Sequence, residues 1–278
     1  MTPQFFDIHS HINFSAFDAD RAETAQRAHD AGVFVINVGT QQDTSKSAVE
    51  LAEKYEKGMY AVIGLHPVHT GKSYHDEAEL GEGGKAFTSR GEEFDSAFYE
   101  ELAKYEKVVA IGECGLDYFH LEEGSVEKQT DVFIKHIDIA NRVGKPLMLH
   151  VRSSQERSAY KDACKILKEH AKVPFNFHFF AGSIEEAKEI LELGGHLSFT
   201  GVITFAKQYE EVVRFVPLDR IMSETDCPYV TPAPFRGKRN EPVYVQEVVK
   251  KIAEIRGEDF EKVRPQLVLN ALNFFKLS

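Results

Sequence analysis

The chain has 278 residues, 42% of them hydrophobic and 28% charged, and a formal net charge of −11. That length suits one α/β barrel or two smaller domains, and the acidity argues against nucleic-acid binding by bulk electrostatics, while cations held in one pocket would still meet phosphates locally. No apolar run approaches the roughly 20 residues of a membrane span, the N-terminus lacks a signal-peptide pattern, and Cys114, Cys164 and Cys227 have no CxxC spacing and read as reduced thiols, so the expected compartment is the cytoplasm.

Strand candidates recur along the whole chain. In order they are 4–9, 33–39, 60–66, 108–113, 146–151, 174–180, 196–201 and 220–225. Helical patterns fill the intervals at 18–31, 43–57, 125–143, 155–170, 183–193 and 207–215, and two more follow at 241–256 and 264–275. Short runs apolar on both faces and separated by helices indicate parallel strands covered on both sides. Eight such units predict a (β/α)8 TIM barrel occupying 1–278 as one domain, with a doubly wound open sheet as the competing architecture. Residues 70–97, rich in Gly and Glu, interrupt the rhythm and are expected to form a surface insertion with a partly ordered loop.

The strand candidates repeatedly end in side chains that bind metals. The first carries Asp7, His9 and His11, two apart and therefore on one face of an ideal strand. His66 follows the third, Glu113 the fourth and His150 the fifth. His178 falls within the end of the sixth, and Glu224 and Asp226 follow the eighth. In a closed barrel these ends form one rim, where such folds keep their active sites. Each residue taken alone has a plainer reading: a hydrogen-bonded core histidine, a helix cap for Glu113, a turn residue for Asp226. Together they exceed what one zinc needs. Glu113 is then the natural bridge between two cations, with His9, His11 and Asp226 on one and His150 and His178 on the other. His29, His136 and His170 lie in helical stretches and are expected at the surface.

His66, before Pro67, is expected to face the substrate, to support another site residue, or to be purely structural. Arg152 shares a face with His150, and Arg236 and Arg239 stand in the Pro-rich loop after Asp226. These arginines are candidates for phosphate binding, the alternative for the loop pair being a solvated charged segment. Asp7 is expected to orient an imidazole through a hydrogen bond.

The motifs "DIHSHI" (7–12), "GLHPVH" (64–69), "VVAIGECGLDY" (108–118), "KPLMLHVR" (145–152), "FHFFAG" (177–182) and "SETDCPYVTPAPFRGKRNEP" (223–242) resemble, in order and spacing, the TatD-type metal-dependent deoxyribonucleases of the amidohydrolase superfamily. The resemblance implies a TIM-barrel hydrolase with two divalent ions (Mg, Mn or Zn) that cleaves phosphodiester bonds of DNA, commonly as a 3′-5′ exonuclease on single strands. It assigns His9, His11, Glu113, His150, His178 and Asp226 as ligands and Asp226 as the base acting on the water. Val68 before His69, and Phe179 and Ala181 in the sixth motif, depart from the family pattern at the substrate side. DNA is the expected partner, engaged locally; neither a membrane nor an obligate protein partner is read from the chain. The alternatives are a small-molecule ester, lactone, amide or phosphotriester hydrolase and, more remotely, a non-catalytic metal-binding protein.

Overall fold

The computed structural model describes residues 3–72, 74–75, 87–89, 91–119, 121 and 123–277. Eight parallel strands follow one another in the sheet in chain order: β1 (Phe5–Ser10), β2 (Val33–Val38), β3 (Met59–Ile63), β4 (Val108–Asp117), β5 (Leu147–Arg152), β6 (Phe175–Phe177), β7 (His196–Phe199) and β8 (Ile221–Ser223). The sheet nearly closes on itself at the β8–β1 seam. Ser10 and Cys227 form a parallel bridge there. Asp226 N donates to His9 O at 2.8 Å and His11 N to Cys227 O at 2.8 Å. This seam decides between the two predicted architectures, because an open doubly wound sheet would leave β1 and β8 as separate edges.

The helices are α1 (Arg21–Asp30), α2 (Gln42–Ala52), α3 (Ser96–Leu102), α4 (Ser125–Val143), α5 (Ala159–His170), α6 (Ile184–Glu192), α7 (Glu210–Phe215), α8 (Val245–Arg256) and α9 (Phe260–Phe274). Capping chemistry sets several boundaries that periodicity misplaces. Asp95 accepts from Ala97 N and Phe98 N and starts α3, which spans the end of the expected insertion (70–97) and residues before the expected strand at 108–113 that carry no predicted element. Asp259 accepts from Glu261 N and starts α9 four residues before the expected position. The described part of the 70–97 insertion contains a two-stranded antiparallel pair, 74–75 with 87–88; residues 73, 76–86 and 90 lie outside the described residues. No described helix is long and apolar enough to cross a membrane.

Two apolar layers result. One fills the space between sheet and helices, with Val35, Ile63, Phe133, Leu149 and Phe177 among its members. The other occupies the barrel interior, where Phe6, Ile8, Ile36, Val62 and Met148 meet Phe274 and Phe275 from the C-terminal helix. The interior is thus apolar and closed by α9 at one end, which leaves the carboxyl ends of the strands for polar side chains.

His136 departs from expectation. It lies in α4 but is fully buried. Its Nδ1–H donates to Val132 O at 2.8 Å, and its Nε2 accepts from Leu65 N at 2.9 Å, tying α4 to the segment that carries His66. The helix presents this face to the sheet, and the two backbone partners replace the water that an imidazole loses on burial. His29 is exposed and His170 partly so.

Burial holds the His136 ring down at about 4, against an ordinary 6.5, with the Val132 carbonyl pulling the other way. An unfolded chain takes up a proton at this site below about 6.5 and the folded chain does not, so folding stability falls as pH drops from 6.5 towards 4. The gap corresponds to about 3 kcal/mol. Urea unfolding of the metal-free protein across this window is expected to show that loss, and the slope is expected to be shallower in His136→Gln.

Candidate metal centre

Glu113 is the meeting point. It is 3% exposed, and its two oxygens face different sets of imidazoles. Oε2 lies 3.4 Å from His9 Nε2 and 3.9 Å from His11 Nε2. Asp226 Oδ1 completes that side, 3.7 Å from His9 Nε2 and 3.4 Å from His11 Nε2. Oε1 lies 2.8 Å from His178 Nε2, 3.2 Å from His150 Nδ1 and 3.4 Å from His66 Nε2. The six residues predicted as ligands therefore come together, divided by Glu113 as the predicted pairing divides them. Three triads have donor atoms within 4.8 Å of one another: His9, His11 and Glu113; His66, Glu113 and His150; His9, His178 and Glu224.

Two local irregularities aim these side chains. In β1 the register runs from Asp7 opposite Val35 to Ser10 opposite Asn37, three residues against two. The extra residue is a bulge, and bulges re-aim side chains. The strict alternation that puts Asp7 with His9 and His11 is thereby broken. In β4 the register runs from Ile111 opposite Leu147 to Cys114 opposite Leu149, again three against two, with Glu113 in the irregular step. Gly112 precedes it at φ 152°, and a Cβ there would stand 2.2 Å from Met148 O; only glycine lets β4 approach β5 this closely. Asp226 also has a positive φ of 55°, uncommon outside glycine, asparagine and aspartate, held by its bond to His9 O.

Hydrogen bonds fix which ring nitrogen faces the centre. A carbonyl only accepts, so His11 Nδ1, 2.9 Å from Val38 O, carries the proton and Nε2 turns a lone pair inward. His150 Nε2 lies 2.7 Å from Asp117 Oδ2, which leaves Nδ1 for the centre. In His66 the order reverses. Its Nδ1 accepts from Val68 N at 3.2 Å, so Nε2 presents a hydrogen to Glu113 rather than a lone pair. His66 consequently sits at the site as a donor.

The electrostatics require positive charge. Burial alone would raise Glu113, but His66, His178 and His9 hold it well below the usual carboxylate range. Burial alone would lower His178, yet Glu113 and Glu224 hold it well above its ordinary value. His150 is raised against its burial by Asp117 and Glu113. Burial and the stacked His178 lower His9, and burial takes His66 down to about 4. Asp226 is lowered against its burial, chiefly by His11. His9 Nε2 and His11 Nε2 meet at 3.2 Å and His178 Nε2 and His150 Nδ1 at 3.5 Å. Such lone-pair contacts are tolerable only with a proton or a cation between them, so this donor set fits divalent cations on both sides of Glu113.

Asp7 is corrected. Its carboxylate accepts from Thr225 N at 2.8 Å and Thr225 Oγ1 at 2.6 Å and lies 3.4 Å from its own neighbour's backbone, His9 N. It secures the turn that carries Asp226 and touches no imidazole. The bulge after Asp7 turns it to the β8 seam. Arg239 is corrected too. Its guanidinium forms a two-pronged pair with Asp20 at 2.8 and 2.6 Å, donates to Ala16 O and lies 4.2 Å over the Phe17 ring. It clamps the Pro-rich loop to the segment after β1. Arg152 and Arg236 lie over Phe119 and Phe205.

Two further carboxylates, Asp117 and Glu224, stand near the centre outside the expected ligand set. Asp117 orients His150, and its strand position was hidden because β4 runs four residues past the expected end. Glu224, a strand-end carboxylate omitted from the ligand set, is fully buried; it accepts from Ser198 Oγ at 2.7 Å and from Phe179 N at 2.5 Å, and stands 3.5 Å from His178 Nδ1. The sequence signal for both is the same: acids at the carboxyl end of strands already carrying a ligand.

The chain matches the family model described as TatD related DNase over residues 6–276. It is 38% identical to the uncharacterized metal-dependent hydrolase YabD of Bacillus subtilis, covering 98% of this chain and 99% of that one. It is 30% identical to the 3′-5′ ssDNA/RNA exonuclease TatD of Pantoea ananatis, again over 98% and 99%. The crystal structure of YJJV, a TatD homologue from Escherichia coli, superposes with a TM-score of 0.82 at 27% identity over the full length of both chains. The chain therefore belongs to the TatD-related DNase family and is a metal-dependent hydrolase.

Proposed function

We propose that this hydrolase cleaves phosphodiester bonds of single-stranded DNA from the 3′ end, using two divalent cations shared by Glu113. The observation that carries the reading is the two-sided environment of Glu113: Oε2 faces His9, His11 and Asp226 while Oε1 faces His150 and His178. A relative at 30% identity bears the name of a 3′-5′ ssDNA/RNA exonuclease, which supports the substrate class. His9, His11 and Asp226 would hold one cation, His150 and His178 the other, and Glu113 both. When bound, the pair supplies Lewis acidity, lowering the pKa of water and neutralising charge that develops at phosphorus.

The chain's own groups do the rest. The Asp226 carboxylate, ionised at neutral pH and at the open side of the centre, takes the proton of the attacking water. His66 offers its Nε2–H to a phosphate oxygen, a role its Nδ1 contact with Val68 N preserves. Asp117 keeps His150 in one tautomer. Arg152 and Arg236, on the same rim, supply local positive charge for neighbouring phosphates.

A metal-dependent assay with 5′- and 3′-labelled single strands is expected to show stepwise loss from the 3′ end, abolished by a chelator. Asp226→Asn is expected to lower kcat by about 10²- to 10⁴-fold with the fold intact by circular dichroism. Asp117→Asn is expected to weaken metal affinity or activity by about 10- to 100-fold. Calorimetric titration is expected to find two ions in the wild type, both weakened by Glu113→Ala and one by His150→Ala. A single ion in the wild type would overturn the shared-carboxylate reading.

A further inference from the structure

The rim carries two exposed phenylalanines, each with an arginine guanidinium over its ring. Phe119, two residues beyond β4, is 44% exposed, and the Arg152 guanidinium carbon lies 3.6 Å from its ring centre. Phe205, in the loop after β7, is 46% exposed, and the Arg236 guanidinium carbon lies 4.1 Å from its ring centre. Arg152 ends the strand that carries His150, and Arg236 stands in the loop that follows Asp226. Its Nη1 is fixed on Thr231 O at 3.0 Å. The two pairs come from β4–β5 and from the loops after β7 and β8, so they flank His178, which follows β6.

Exposed phenyl rings have a hydration cost, and these two are not scattered over the surface. The other exposed large aromatics among the described residues, Tyr105 and Phe215, precede β4 and β8 at the opposite end of the barrel and have no guanidinium over them. A chain of net charge −11 also repels a polyanion at long range. Affinity for a nucleic acid must then come from contacts at short range, and stacking on aromatic or guanidinium planes is one that works on every base.

We infer that the Phe119–Arg152 and Phe205–Arg236 pairs are base-stacking subsites, each taking an unpaired base of a single strand that crosses the metal centre. The inference rests on the nuclease reading above and deepens it. Paired bases hide their faces in the duplex, so these subsites select single strands over duplex by the stacking they offer.

The test compares three substrates of the metal-loaded enzyme: an oligothymidine strand, an abasic strand of the same length, and bis(p-nitrophenyl) phosphate, which has neither bases nor a chain. The wild type is expected to prefer the base-bearing strand. Phe119→Ala and Phe205→Ala are each expected to raise KM for oligothymidine by about 5- to 100-fold, leaving the abasic strand and the small diester unchanged, and Phe119→Trp is expected to restore the preference. Equal use of both strands by the wild type, or equal losses on both strands in the alanine variants, overturns the subsites while the nuclease reading stands. Turnover of the small diester with no cleavage of either strand overturns the nuclease reading and the subsites with it.

Discussion

A carboxylate buried as deeply as Glu113 must meet positive charge or give up its own. Here it meets imidazoles on both oxygens, and its carboxyl stays ionised because His66, His178 and His9 outweigh the burial that opposes ionisation. The raised affinity of His178 and His150 for protons is the other half of the same balance. A divalent cation bound beside Glu113 would answer these demands together: it would replace those protons, separate imidazole nitrogens that otherwise face each other, and leave Glu113 ionised. The supporting acids fit this arrangement. Asp117 and Glu224 stand behind His150 and His178, on the side away from Glu113, where Asp117 fixes the His150 ring by a hydrogen bond and Glu224 places negative charge 3.5 Å from His178 Nδ1.

The barrel serves that centre by closing where it does. The β8–β1 seam brings Asp226 beside His9 through backbone bonds, and Asp7 secures the intervening turn through Thr225. On the opposite wall Gly112 lets β4 lie close to β5 so that Glu113 and His150 share one space. His136 belongs to the same scaffold. By accepting from Leu65 N it anchors the segment on which His66 is carried, and a buried imidazole with both nitrogens engaged has one orientation available.

A net charge of −11 suits the proposed polyanionic substrate when attraction is confined to the metal centre. Arg239, which the spacing marks as a phosphate ligand, spends its charge on Asp20 and ties the Pro-rich loop down. Arg152 and Arg236 stand on the rim, over the Phe119 and Phe205 rings.

Periodicity alone determined that eight apolar strands alternate with helices, because parallel strands buried on both faces read as continuous apolar runs. The position of ligand-type residues at the ends of those runs located the site, since only the carboxyl ends of barrel strands collect polar groups at one place. Local pattern did not reach further. The bulges in β1 and β4 have no signature in the residue sequence, yet they separate Asp7 from His9 and aim Glu113. Asp117 gained its role from a strand that runs on to pair with Arg152, and Arg239 lost its expected one to Asp20, 219 positions away in the chain. His136 looked like a surface residue because a single imidazole in a helix carries no mark of the backbone amide waiting for it. Strand register and contacts distant in sequence are properties of the closed barrel, and they decided which of the legible residues touch.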